Sequence, residues 1–154
     1  MTLSLIELRN QPEQHTAVVR HRISMQETDR IPGWIGTTFE AIQGAGQQPA
    51  GMPFLRTLSM DADGMDIEVG WPVVAPISGD GEVYAGTLPG GHVAVASYLG
   101  PYDGIGPAYE AIQTWCSEHG HEIAGPPWES YLTDPNEEPD PAKWRTDIHF
   151  PVRG

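Results

Sequence analysis

The second half of this chain repeats the first, and that repeat constrains the fold more than any other feature. Phe39-Glu40-Ala41-Ile42 returns as Tyr109-Glu110-Ala111-Ile112, and Trp71-Pro72-Val73 returns as Phe150-Pro151-Val152. Pro49-Ala50-Gly51-Met52-Pro53-Phe54 returns as Ile123-Ala124-Gly125-Pro126-Pro127-Trp128. A chain of 154 residues is long enough for one domain with a real core. The repeat divides residues 1–154 of that single domain into a first copy over about 1–74, a linker over about 75–81 and a second copy over about 82–154. Two small α/β units can enclose a cleft, and the repeat places Glu129 of the second copy where the first has Leu55. An apolar cleft with one carboxylate suits a cationic or amphiphilic small molecule.

Each half reads as two strands, a helix and two more strands. Leu3 to Leu8 and Thr16 to Ile23 alternate as strands do. Ile35, Phe39 and Ile42 recur at helical spacing after Pro32, and Gly44 and Gly46 end that helix. Phe54 to Met60 and Met65 to Trp71 form a hairpin turned at Asp63-Gly64. In the second half, strands cover Val83 to Leu88 and His92 to Tyr98. A stripe of Ile105, Tyr109, Ile112 and Cys116 predicts the second helix, closed by Gly120. Trp128 to Thr133 and Trp144 to Phe150 form the last hairpin, around a Pro-rich loop at 134–141. The class is α+β: tandem pseudo-symmetric strand-helix-strand-strand units, each an antiparallel sheet with a helix on one face, leaving the other to shape a cleft.

The formal charge of -13, with eight Lys and Arg, leaves no basic patch for phosphate and argues against direct nucleic-acid binding. It would attract cations. One cysteine, Cys116, excludes an intramolecular disulfide and reads as a small buried apolar residue. Neither a signal peptide nor a membrane-length apolar run is visible, so the expected location is the cytoplasm, without a membrane partner. Asp61-Ala62-Asp63-Gly64 has its Gly too early for a calcium loop, and His119 and His121 lack further ligands at metal spacing. Gly44-Ala45-Gly46 follows a helix rather than a strand, so it is no dinucleotide fingerprint. No metal or cofactor is expected, and hydrolase or phosphate-binding motifs of the usual kinds are missing.

What remains is a constellation on one strand. Alternation puts Glu129, Tyr131 and Thr133 on one face and Trp128, Ser130 and Leu132 on the other. If Trp128 packs under the helix as Phe54 would, Glu129 and Tyr131 face the cleft. Tyr98, Tyr102, Trp34, Trp71 and Trp144 are candidate walls, although aromatic rings most often serve as core. The predicted ligand site is therefore Glu129, Tyr131, Tyr98, Tyr102, Trp34, Trp71 and Trp144.

Several segments resemble the GyrI-like small-molecule-binding family, the effector-binding fold of multidrug-responsive transcription regulators. They are Leu88-Pro89-Gly90-Gly91-His92-Val93-Ala94-Val95, Gly100-Pro101-Tyr102-Asp103-Gly104, Tyr109-Glu110-Ala111, Gly125 to Pro135, and Trp144-Arg145-Thr146-Asp147-Ile148. The likeness is strongest from Leu88 to Val152. It implies two tandem units with pseudo-twofold symmetry, a cleft between them, and a Glu129 carboxylate that meets cationic ligands beside Tyr131. Regulators of the family carry a helix-turn-helix segment, for which the residues around the two copies leave no room, so a stand-alone binding protein is expected. Two alternatives come with the resemblance. One is a hydrolase of cyclopropanoid DNA-alkylating compounds, in which Glu129 and Tyr131 would be catalytic. The other is a gyrase-inhibitory protein that contacts a protein partner, a topoisomerase or a separate regulator.

Overall fold

The computed structural model describes residues 2–79 and 81–153. In chain order the strands and helices are β1 (Thr2–Leu3), β2 (Glu7–Gln11), β3 (Gln14–Ile23), α1 (Ile31–Gly44), β4 (Phe54–Asp61), β5 (Gly64–Pro72), β6 (Tyr84–Leu88), β7 (Gly91–Leu99), α2 (Gly106–Glu118), β8 (Glu122–Ile123), β9 (Trp128–Tyr131) and β10 (Arg145–Arg153). Within each of the two compact units described next, the strands pair antiparallel, as expected for the α+β class.

The chain divides into two compact units, cut elsewhere than the sequence copies. One unit is Glu13–Gly90; the other joins the chain up to Pro12 with everything from Gly91 onward. In the first, the sheet order is β4-β5-β3-β6. In the second, it is β9-β10-β7-β2, with β1 also on β7 and β8 on β10. The leading strand of each copy is thus exchanged: β2 from the first copy pairs with β7, and β6 from the second pairs with β3. The alternation of a strand specifies which face it buries but not which sheet receives it, so the sequence boundaries and the compact units part company here. The linker at 75–81 has no helix or strand among its described residues, and its Asp80 lies outside them.

Each helix covers one face of its unit's sheet. Trp34, Thr38, Ala41 and Ile42 are the buried stripe of α1, and Ala108, Ile112 and Cys116 that of α2. Pro32 and Pro107 occupy first turns, where a missing N–H costs nothing. Gly46 and Gly120 follow the helix ends at φ 78° and 73°, the left-handed conformation that closes a helix. Beneath α2, Ala94, Ala96, Ile148, Phe150 and Val152 complete one core, each large apolar side chain contributing about 1.5–3 kcal/mol by burial.

Two expected strands are shorter than read. The run from Leu3 to Leu8 breaks at residues 4–6, because the Ser4 hydroxyl accepts the Ser97 N–H in place of a backbone carbonyl and diverts the ladder. The strand from Trp128 stops at Tyr131, where the Thr133 hydroxyl takes the Arg145 N–H. No helix among the described residues is long and apolar enough to cross a membrane.

Candidate functional site

Strand β9 lies against β10, with Glu129 opposite Ile148 and Tyr131 opposite Thr146. Alternation then places Glu129 and Tyr131 on the face that carries Ile148 and Phe150, the face packed against α2. The Tyr109 hydroxyl, on α2, donates to Glu129 Oε2 at 2.7 Å, and the Tyr131 hydroxyl donates to Glu129 Oε1 at 2.8 Å. This corrects the expectation that the carboxylate faces away from the helix. Trp128, its neighbour, is the residue on the far face: it is buried and stacks on His149 at 5.0 Å and 6°. A carboxylate on the helix side gains a phenol from the helix itself, which the far face does not offer.

Aromatic rings extend the cluster. Tyr102 meets Tyr131 edge-on at 5.5 Å and stacks on Trp144 at 5.1 Å and 27°. Tyr109 meets Phe150 edge-on at 5.7 Å. The Trp144 indole N–H is anchored on the Glu138 carbonyl at 2.7 Å, so the Pro-rich loop holds that ring in place. Glu129, Tyr131, Tyr102 and Trp144 of the predicted set are therefore brought together. Tyr98 is buried in the core, with its hydroxyl donated to the Pro101 carbonyl at 2.8 Å. Trp34 and Trp71 lie in the other unit: Trp34 stacks on His21 at 3.9 Å, and the Trp71 indole donates to the Ile35 carbonyl.

Sequence reasoning missed Tyr109 as a polar group and read it only as part of the helical stripe. The signal was in the repeat. Phe39 of the first copy meets Trp71 as Tyr109 meets Phe150, so the ring pair is kept and only the hydroxyl is new. That hydroxyl appears in the same copy that exchanges Leu55 for Glu129, and the two new groups bond each other.

Burial raises the Glu129 pKa above the ordinary carboxylate range, and the two phenol hydrogen bonds only partly oppose it. Glu129 is surrounded by protein yet still reached by some solvent. Burial also lifts Tyr109 and Tyr131 well above a free phenol, with the Glu129 charge adding to it. Tyr102 is raised by burial, then by Glu129 and Asp134. The phenols thus remain protonated donors while the carboxylate is the group that titrates. A raised carboxylate pKa means the folded state holds a proton the unfolded chain has released. Its contribution to stability is complete below the ordinary carboxylate pKa and is lost as pH rises through the raised one. Affinity for a cation should run the opposite way, rising across the same window as the carboxylate ionises. Titration calorimetry from about pH 4.5 to 8 checks this, and an affinity flat over that range would remove Glu129 from cation recognition.

The arrangement offers one desolvated anion among aromatic faces, with two proton donors attached. Among the described residues no three His, Cys, Asp or Glu side chains are grouped to hold a metal ion.

Comparison with known proteins identifies the family and the fold. The sequence matches the family model described as the GyrI-like small molecule binding domain over residues 5–153. The chain is similar to the crystal structure of the EcmrR C-terminal domain, with 23% identity, a TM-score of 0.86 and 99% of each chain covered. It is likewise similar to EcmrR in a complex with DNA, at 24% identity and a TM-score of 0.84, covering 97% of this chain but 57% of that one. The chain thus spans little more than half of EcmrR in that complex. A hydrolase from Listeria innocua is similar at 14% identity and a TM-score of 0.64, with 96% and 91% covered. SAV2435, solved bound to tetraphenylphosphonium, is similar at 15% identity and a TM-score of 0.60, with 98% and 95% covered. No curated protein matches the sequence.

Proposed function

This chain belongs to the GyrI-like small-molecule-binding family, and we propose that it acts as a receptor for aromatic cations. The observation that carries this reading is the Glu129 carboxylate, held by the Tyr109 and Tyr131 hydroxyls beside the rings of Tyr131, Tyr102 and Trp144. Such a group is costly to ionise alone, and a delocalised cation relieves the cost. Being weakly hydrated, such a cation also gives up little on entering, and each ring face adds about 0.5–2 kcal/mol of cation–π attraction. Support also comes from SAV2435, which shares the fold and was solved with tetraphenylphosphonium. The protein's expected partner is thus a small molecule; direct binding to nucleic acid is not part of the proposal.

Tetraphenylphosphonium is the probe that tests the reading, with uncharged triphenylphosphine oxide as its control. Titration calorimetry should detect the cation and a much weaker interaction, or none, with the neutral compound. Equal affinities would sink the proposal.

A second reading, hydrolysis of a cyclopropanoid alkylating compound, is favoured by one detail. Glu129 has a pKa raised by burial and two phenols on its oxygens, a combination suited to passing a proton to or from water. Incubating such a compound with the protein and finding the ring-opened hydrate by chromatography would favour the enzyme; unchanged compound favours the receptor.

A further inference from the structure

The first copy offers an internal comparison for the end of this site. Aligning Phe39 with Tyr109 pairs Trp34 with Gly104, and aligning Trp71 with Phe150 through the ladders pairs His21 with Tyr98. In the first copy, the Trp34 indole lies flat on His21 and closes that end of the sheet face. In the second copy, the indole is gone and a phenol stands in the histidine's place. Its hydroxyl reaches Pro101, in the loop that carries Tyr102.

That hydroxyl is closely enclosed by two residues without side chains. A Cβ built on Gly104 would lie 2.6 Å from the Tyr98 oxygen, and one on Gly100 would lie 2.9 Å from it. Both distances are below contact, so the loop can wrap this oxygen only with glycine at both places. The loop is fastened at a second point, where the Gly100 N–H donates to the Trp144 carbonyl at 2.9 Å. Directly after these fastenings stands Tyr102, over a third exposed, its ring against Tyr131 and Trp144. Tyr98, Thr146 and Tyr131 also occupy one row across β7, β10 and β9, so the anchor and the wall belong to the same row of the sheet.

We infer that Tyr98 is a positioning residue: through its hydrogen bond to Pro101 it sets the Gly100–Gly104 loop so that the Tyr102 ring forms the outer wall of the Glu129 site. Tyr98 need touch no ligand to do this, which differs from its expected role as a wall. The inference rests on the receptor reading of the same site, and its consequences separate from that reading. The hydroxyl acts on affinity only through where Tyr102 stands. Removing the hydroxyl and removing the Tyr102 ring should therefore cost the same affinity once, not twice.

The experiment is a double-variant cycle with tetraphenylphosphonium on the full chain. Tyr98→Phe and Tyr102→Ala should each weaken binding by about fivefold, in the range of one lost ring contact, and the double variant should be no weaker than Tyr102→Ala alone. Gly104→Ala, which pushes a methyl against the same oxygen, should reproduce the loss from the other side. A Tyr98→Phe protein that binds as the parent does, or losses that multiply in the double variant, would overturn the inference. A second measurement needs no ligand. Nuclear Overhauser contacts between the Tyr102 and Trp144 rings should vanish in Tyr98→Phe and persist in Tyr84→Phe, which removes a phenol bonded to Glu68 in the other unit. If the parent binds no cation, the receptor reading fails, and these ring contacts alone decide the role of Tyr98. Their survival in Tyr98→Phe would refute it.

Discussion

Trp128→Ala is expected to lower the free energy of unfolding by about 3–5 kcal/mol, the largest effect of any single substitution considered for this chain. Trp128 is 2% exposed and is among the largest fully buried side chains. Its loss removes both the transfer term and the packing around the hole left behind. The total stability of a domain this size is about 5–15 kcal/mol, so a large part of it would go. The indole also covers the imidazole of His149, whose pKa burial holds below the ordinary histidine value. In the variant that pKa should climb back toward a free imidazole as water reaches the ring. Chemical denaturation and an NMR titration of His149 read the two effects separately. A midpoint near the parent's would mean that Trp128 is not an anchor.

Glu129→Gln should reduce tetraphenylphosphonium affinity by about tenfold or more, equivalent to about 1.4 kcal/mol. The amide keeps the shape and removes the charge. It also offers only one acceptor to two phenols, because its nitrogen is a donor facing another donor. One of the Tyr109 and Tyr131 hydroxyls must therefore turn away, and the shape of the site loosens slightly as well. The same substitution should abolish the pH dependence of cation binding, since the two phenols bonded to the carboxylate are both held above the free phenol value and stay protonated across that window. Equal cation affinities in parent and variant would show that the carboxylate is structural.

Much of this was legible in the sequence because the repeat supplies an internal control. Phe54 and Trp128 are equivalent and both buried, and the exchange of Leu55 for Glu129 drew attention to a carboxylate on a strand that also carries Trp128 and Tyr131. The family likeness of the second copy agrees with the match over residues 5–153. The face of the sheet was misread for a specific reason. Alternation tells which residues share a face but carries no label for the helix side, and a large indole at 128 looked like the natural partner of α2. That role falls to Ile148, Phe150 and their neighbours, whereas Trp128 needed the flat imidazole of His149. Tyr98 was expected as a wall, and its hydroxyl turns to the Pro101 carbonyl, because no pattern in sequence shows where a phenol hydroxyl points. The exchange of β2 and β6 was invisible because β2 is largely exposed and carries no apolar face that would assign it to one sheet.

That exchange has a consequence for how the chain acquires its structure during synthesis. In Glu13–Gly90 the pairings of β4 with β5, β5 with β3 and β3 with β6 join strands of that segment alone, so none of them has to wait for a residue beyond 90. The strand Glu7–Gln11 emerges almost first, yet its partner is Gly91–Leu99, some eighty residues later. It must wait unpaired until the rest of the chain arrives, since long-range pairings form only after their loop closes. The Glu129 site belongs to this late unit and is assembled last. A nascent chain halted near residue 100 would already contain both partners of each of those three pairings and no means of holding a ligand through Glu129.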